Sequence, residues 1–375
     1  MRWLPAVAAP AVIAAGVLAG SIPASAGDPL PARTPAQVLE LLASHQVHSF
    51  SGTIEQSSDL GLPELPAAGK TAGPSPAGGA ASVIELLTGD HAARVYVDGK
   101  DNARVQVVDQ LAERDVVHHG NDVWFYSSKD NSAAHLTLPA HTREHARPDA
   151  PQDKPGMPTP GDLANRLLAK VDPTTAVSVG PDVAVAGRPA YNLILEPRTD
   201  ATLVGKVAIA VDGHNGLPLS VQVTARGADK PAFRSGFTSL SLEAPDASLF
   251  TFTPPPGSTV KELQVPENSH LPASFHEPGL AITPEELMAQ MAAKGRLSVT
   301  GKSWDAVVGL PAQASPGSPA ESLLRDPLLS QAAVAVPGGH LLSTALLNVL
   351  ITDDGRVFAG LVPPERLQAA AAAAQ

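Results

Sequence analysis

Between Val177 and Val260 the chain alternates apolar and polar residues with period two, run after run, and most runs stop at a turn signal. Tyr191, Leu193 and Leu195 fall on one face of a pleated strand, as do Val207, Ile209 and Val211, and Leu219, Val221 and Val223. Asp212-Gly-His-Asn-Gly216 separates two of these runs with residues that tolerate positive φ, as hairpin connections require. The pattern predicts an antiparallel meander with one face buried and one wet. Leu249 to Gly257 closes it, and the three prolines there are expected to stop further ladder pairing. No catalytic signature lies in this stretch, so function has to be argued from what an apolar face could hold.

A second group of strands is expected upstream. Phe50 and Ile54 share a face in Phe50–Gln56, and Arg94–Val97 and Arg104–Val108 flank the hairpin signal Asp98-Gly99. Asp115–His118 and Val123–Tyr126 flank Gly120-Asn121 in the same way. Three helix starts share one chemistry of threonine followed by proline. Thr34-Pro35 leads Val38, Leu39, Leu41 and Leu42, with Gln37 at the capping-box position. Thr159-Pro160 leads Leu163, Leu167, Leu168 and Val171, and Thr283-Pro284 leads Leu287, Met288 and Met291. Residues 61–80 and 139–158 read as flexible inserts, and 263–282, with Pro266, Pro272 and Pro278, as a linker. The remainder, 283–375, reads as a small C-terminal module. It holds a candidate strand at Gly301–Val308, an apolar run at Leu341–Thr352, a hairpin turn at Asp353-Asp354-Gly355, and an alanine-rich helix or frayed tail at Pro364–Gln375.

Three stretches carry a resemblance: Gly187–Pro197, Val207–Val221 with its aspartate-glycine turn, and Phe250–Val260. In order and spacing they resemble the second half of the LolA-like superfamily, and the likeness extends over Thr34 to Glu262. That superfamily holds outer-membrane lipoprotein carriers, the periplasmic regulator RseB and mycobacterial lipid-carrying lipoproteins. The resemblance implies a fold of class α+β, mainly β: an open antiparallel β half-barrel around an apolar cavity, with helices as a lid, plus the small C-terminal module. RseB-like proteins also carry a module after the half-barrel, though no residue here matches it specifically. The richness in Ala, Pro and Gly fits a high-GC bacterium, and the family includes many actinobacterial members.

Composition excludes several classes. A net charge of −11 is the wrong sign for binding phosphate backbones, so nucleic acid is not an expected partner. The absence of cysteine removes disulfides, thiol catalysis and cysteine-ligated zinc. Met1-Arg2-Trp3, the apolar run through Ala19 and the Ala24-x-Ala26 pattern predict a secretory signal over 1–26, cleaved before Gly27 rather than kept as an anchor. Anchored relatives need a cysteine after that site, so a freely secreted, extracytoplasmic monomer is expected.

The polar clusters read as structure. His118-His119 ends a hairpin, and His135, His141 and His145 with Glu144 and Asp149 read as solvated loop residues without the rigid support a metal needs. Asp98–Asn102 resembles a calcium loop, but Lys100 and Ala103 stand where a carboxylate and the turn glycine belong, which leaves a hairpin. Gly-x-Ser-x-Gly, phosphate-loop and His-Glu-x-x-His patterns are missing, and neither enzyme activity nor a cofactor is expected.

What remains is the apolar face. Phe50, Ile54, Val97, Phe125, Leu193, Leu195, Ile209 and Val221 are the candidates to line a lipid cavity. The competing reading is an ordinary sheet–helix core made of the same residues. Each buried CH₂ of an acyl chain is worth about 0.8 kcal/mol, so such a carrier needs no sharp polar motif. The resemblance therefore implies an exported protein that binds a lipid or lipoprotein acyl chain. The alternative it implies is an RseB-like module that contacts a membrane-anchored anti-sigma factor or other protein partner.

Overall fold

A computed structural model describes residues 30–61, 90–108, 113–137, 159–161, 164, 173–263, 297–312 and 332–374. The signal segment, nearly all of the 61–80 insert, the 139–158 loop, most of the second helix, the third helix and residues 264–282 lie outside the described residues.

Helix α1 (Pro35–Ala43) forms as the capping pattern dictates. The Gln37 amide N–H donates to Thr34 Oγ1 at 3.3 Å, and the Thr34 N–H donates to Gln37 Oε1 at 2.8 Å. Two orphan donors of the first turn are thereby satisfied. The helix buries Val38 and Leu42.

Twelve strands follow in one open sheet: β1 (Ser49–Ser58), β2 (His91–Asp98), β3 (Asn102–Val108), β4 (Glu113–His119), β5 (Asp122–Ser127), β6 (Ser132–Thr137), β7 (Thr175–Val185), β8 (Arg188–Pro197), β9 (Val204–Asp212), β10 (Pro218–Ala225), β11 (Pro231–Ser241) and β12 (Thr259–Leu263). Their spatial order is β12-β6-β5-β4-β3-β2-β1-β11-β10-β9-β8-β7. Two antiparallel meanders, β1 to β6 and β7 to β11, are joined where β1 pairs with β11. The sheet does not close on itself, and β12 and β7 are its edges. The fold is α+β, mainly β, and an open half-barrel in type.

The turns behave as their residues require. In the β9–β10 connection, Asp212 Oδ1 accepts from the amides of His214 and Asn215 at 2.8 and 3.2 Å, and Arg188 Nε donates to Asp212 Oδ2. Gly216 has φ +78°, and a Cβ there would strike the carbonyl of Leu41. The hairpin tip thus sits directly against α1, and only glycine serves both needs.

One expectation fails at the prolines. Pairing resumes after them: β12 runs parallel to β6, with Thr259 opposite Ser132 and Leu263 opposite Leu136. Missing amide donors stop pairing only within the Pro254–Pro256 run itself. Beyond Gly257, Asn131 recaptures the chain. Its carbonyl accepts from the Thr259 amide at 3.0 Å, and its Oδ1 accepts from Ser258 Oγ at 2.9 Å.

A second sheet has the order β13-β14-β18-β17-β16-β15. Its strands are β13 (Ser298–Thr300), β14 (Val307–Leu310), β15 (Val334–Val336), β16 (Gly339–Ser343), β17 (Asn348–Thr352) and β18 (Val357–Gly360). The Asp353-Asp354-Gly355 turn joins β17 to β18, as its sequence predicts. Helix α2 (Pro364–Ala373) places Leu367, Ala370 and Ala371 on Val307, Leu341, Leu350 and Phe358. The run Gly301–Val308 is not one strand. Gly301 at φ +83° and Ser303 at φ +52° turn it back, a single 3-10 turn forms at Ser303–Asp305, and extended pairing begins only at Val307. Leu341–Thr352 likewise divides into β16 and β17, because Thr344 Oγ1 captures the amides of Leu346 and Leu347 in a turn. Among the described residues, no helix is long and apolar enough to cross a membrane.

Candidate functional site

Cross-strand register places all eight candidate residues on one face of the large sheet. Leu193 lies opposite Ile209, Ile209 opposite Val221, and Leu195 opposite Val207. Val221 faces Ser235, Ser235 faces Gln56, and Ile54 and Phe50 follow along β1 at intervals of two. Phe50 faces Val97, Val97 faces Ala103, and Val105 leads through Val116 to Phe125. Seven of the eight are buried and Val97 is half-buried.

They do not form a single cluster. Leu193, Leu195, Ile209 and Val221 share one with Tyr191, Val207, Val211, Val223 and Phe233. Val38 and Leu42 of α1, Ala164, Trp304 and Leu346 pack into the same cluster. Tyr191 donates its hydroxyl proton to the carbonyl of Pro31 at 2.8 Å. Trp304, almost wholly buried, donates Nε1–H to Thr175 Oγ1 at 2.7 Å. The second sheet is therefore seated on this half of the first. Its backbone joins there too: the carbonyl of Leu361 accepts from the Leu203 amide and Thr202 Oγ1, and the Ala345 amide donates to the carbonyl of Leu60.

Phe50 and Ile54 belong to a second cluster, with Ala93, Val95, Val105, Val107 and Phe237 and, from β8 to β10 and the turn before β10, Ala190, Ala210, Leu217 and Leu219; Val97 packs at its margin. Phe50 and Phe237 meet edge to face with ring centroids 5.9 Å apart. Gly52 makes room for that contact, since a Cβ there would hit the carbonyl of Ser239 and press on the Phe237 ring. Phe125 lies apart, with Val123 and Ala134. The sequence reading passed over Ala93, Val95, Ala103, Val105, Val107 and Ala134. Their signal was the alternation already present in β2 and β3, obscured because Ala and Val are small.

Between the two larger clusters runs a polar row: Ser235, Gln56 and His91 are successive cross-strand neighbours. Phe233 flanks it on one side, and Phe237, Ile54 and Ala93 on the other. Ser235 and Gln56 are buried. Gln56 follows Ile54 at an interval of two, which is the signal that could have placed it on this face.

The opposite face carries charge. Arg104 grips Asp115 through Nε–Oδ1 at 3.1 Å and Nη2–Oδ2 at 2.5 Å, and its Nη1 donates to the carbonyl of Leu249 at 3.2 Å. Only 2% of the Asp115 side chain is exposed. Burial pushes its carboxyl above the ordinary value, against the opposing pull of Arg104. His135 corrects the loop-histidine reading. It stands within β6, stacked on Trp124 with centroids 4.1 Å apart, its Nε2 2.9 Å from Asp122 Oδ1 and its Nδ1 3.0 Å from Glu262 Oε2. The parallel return of β12 brings Glu262 there, which no local pattern indicated. His141, His145, Glu144 and Asp149 lie outside the described residues.

No family model matches the chain, and no curated protein matches it. Solved structures do. MucB in the MucA/MucB complex of Pseudomonas aeruginosa is 14% identical, over 89% of this chain and 96% of that one, at a TM-score of 0.42. A LolA superfamily protein from Nitrosomonas europaea is 12% identical, over 59% of this chain and 99% of that one, at a TM-score of 0.23. A putative outer membrane lipoprotein-sorting protein domain from Vibrio parahaemolyticus is 13% identical, over 58% and 94%, at 0.20. With identities of 14% or less and TM-scores below 0.5, these likenesses carry no argument, and the function of this chain is read from its own residues.

Proposed function

We propose that this is an exported binding protein that holds the acyl chain of a lipid or lipoprotein against the apolar face of β1 to β6. One observation carries the reading. On that face β2, β3 and β6 carry mostly small apolar residues, Ala93, Val95, Val97, Ala103, Val105, Val107 and Ala134, with His91, Ser132 and Leu136 as the exceptions, and small side chains favour room for a ligand. Apolar concavity is the usual ground of ligand sites. Phe50, Ile54 and Phe125 supply the larger contacts, whereas Leu193, Leu195, Ile209 and Val221 act as the packed wall behind. The test is native mass spectrometry of the protein recovered from the secreting cell, followed by organic extraction. A discrete added mass that extracts as lipid is the expected result. A clean apo mass, with no uptake of added phospholipid, sinks the reading.

A second reading has one observation of its own. Among the described residues β15 is an edge strand of the second sheet, and its Val334 is 64% exposed. An apolar edge of that kind accepts an added strand from a partner, such as an extended segment of a membrane-anchored protein. Val334→Lys should then abolish co-purification of a single-span membrane protein. Unchanged co-purification would remove the edge from consideration.

A further inference from the structure

We infer that Ser235, with Gln56 and His91 beside it, forms a polar subsite that receives the neutral carbonyl of an acyl ester or amide. The inference rests on the acyl-binding reading and adds where along the face the polar end of the ligand sits. Ser235 lies on β11, fully buried, and its Oγ has no hydrogen-bond partner. Buried hydroxyls are almost always bonded, so an orphan between two apolar clusters calls for an explanation. Register aims it: Ser235 faces Val221 on one side and Gln56 on the other, and Gln56 faces His91. The three side chains therefore stand in one line across β11, β1 and β2, on the face that carries Ile54 and Phe237.

Position supports the same assignment. The line falls at the seam between the cluster closed by α1 and Trp304 and the cluster that holds Phe50, Ile54 and Phe237 with the small residues of β2 and β3. An acyl chain lying over Ala93 and Val105 would reach its first polar atom at that seam. The chemistry selects the ligand group. A serine hydroxyl can donate to a carbonyl oxygen. Arg234, the adjacent cation, alternates to the other face and is exposed. A neutral carbonyl suits such a place better than a carboxylate, whose charge would be desolvated without a counter-ion.

The experiment uses three probes of equal chain length with the same terminal fluorophore: an alkane, its methyl ester and its free acid. Each is titrated into the full chain and into Ser235→Ala, with thermal unfolding as a check on folding. In the unaltered protein the ester should bind about fivefold more tightly than the alkane, the size of one net hydrogen bond. In Ser235→Ala the ester should fall to the alkane's affinity while the alkane is unchanged. Ser235→Thr, which keeps the hydroxyl, should retain the preference. An ester preference that survives in Ser235→Ala overturns the subsite and leaves acyl binding standing, and so does loss of the preference in both variants. An acid preferred over the ester in a Ser235-dependent way overturns the neutral-carbonyl assignment. No binding of any probe by the unaltered protein overturns both readings together.

Discussion

The two meanders of the large sheet obey the same alternation and end in different states. On β8 to β11 the shared face carries Tyr191, Leu193, Leu195, Ile209 and Phe233, and α1, Trp304 and Leu346 close over them. On β2, β3 and β6 the same face carries mostly small residues, Ala93, Val95, Ala103, Val105, Val107 and Ala134, with Leu136 the one large aliphatic side chain. Periodicity decides which side chains look inward. Size decides whether they can fill what they enclose, since interiors are packed to crystal density and a missing methylene is felt. The first half is a core; the second is the half to which the proposal assigns the ligand.

The sharpest way to break that contrast is Trp304→Ala. If the first half is a filled core, removing its largest inserted ring should destabilise the protein by about 3–5 kcal/mol. The loss includes the bond to Thr175 Oγ1, and chemical denaturation would read it. A loss below about 1 kcal/mol, in the range of ordinary surface changes, would mean the second sheet merely leans on the first.

Arg104→Leu probes the other half from its outer face. Removing Arg104 strands a buried carboxylate and releases the 3-10 turn Ala247–Phe250 held at Leu249, with an expected loss of about 3 kcal/mol at neutral pH. The sign follows from Asp115. Its folded pKa lies above the unfolded one, so between those values the folded state binds more protons and stability falls as pH rises. Without Arg104 the folded value climbs further and that window widens. The deficit of the variant should therefore shrink as pH drops toward about 4, where an unfolded aspartate also takes up its proton. Denaturation midpoints across pH 4 to 7 would show it, and a pH-independent deficit would contradict it.

Local chemistry was legible in the sequence wherever neighbours in the chain settle the outcome. The Thr34–Gln37 box, the Asp212–Gly216 turn and the strand faces of Tyr191, Leu193 and Leu195 all depend on residues a few positions apart. What escaped depends on distant partners. Thr259–Leu263 becomes a strand because Asn131 receives it, more than a hundred residues upstream, and His135 leaves the loop class because Glu262 arrives beside it. Trp304 looked like a strand residue, yet the turn at Gly301 and Ser303 and an acceptor on β7 bury it in the other sheet's core. The candidate face was legible as a face. Its division was not, because alternation weighs Ala93 and Leu193 alike.

Ala93→Leu turns that blindness into a test. Ala93 lies between Ile54 and Val107 in the register, on the half assigned to the ligand. Added methylenes there should compete with an acyl chain for space, lowering its affinity about tenfold, the equivalent of about 1.4 kcal/mol or nearly two buried methylenes. Probe titration reads the affinity, and calorimetry reads stability in parallel. A variant that loses stability by overpacking, about 1–3 kcal/mol, without losing any acyl affinity would show that this half too is a closed core.

Thr34→Ala is the gentlest perturbation and separates the halves from the lid side. The substitution deletes the side-chain acceptor for the Gln37 amide, and with it one arm of the capping box, at an expected cost of about 1 kcal/mol. Val38 and Leu42 of α1 rest on the cluster of Leu193 and Ile209, not on that of Ala93 and Val105. A helix that only seals the filled half should pass this loss to global stability, seen as a lower denaturation midpoint, and leave acyl affinity where it was. Hydrogen exchange at the amides of β8 and β9 should quicken while those of β2 and β3 keep their protection relative to global unfolding. Were acyl affinity to change along with the midpoint, α1 would have to be counted among the walls of the binding space, and the boundary between core and cavity would move from the Ser235 seam to the helix itself.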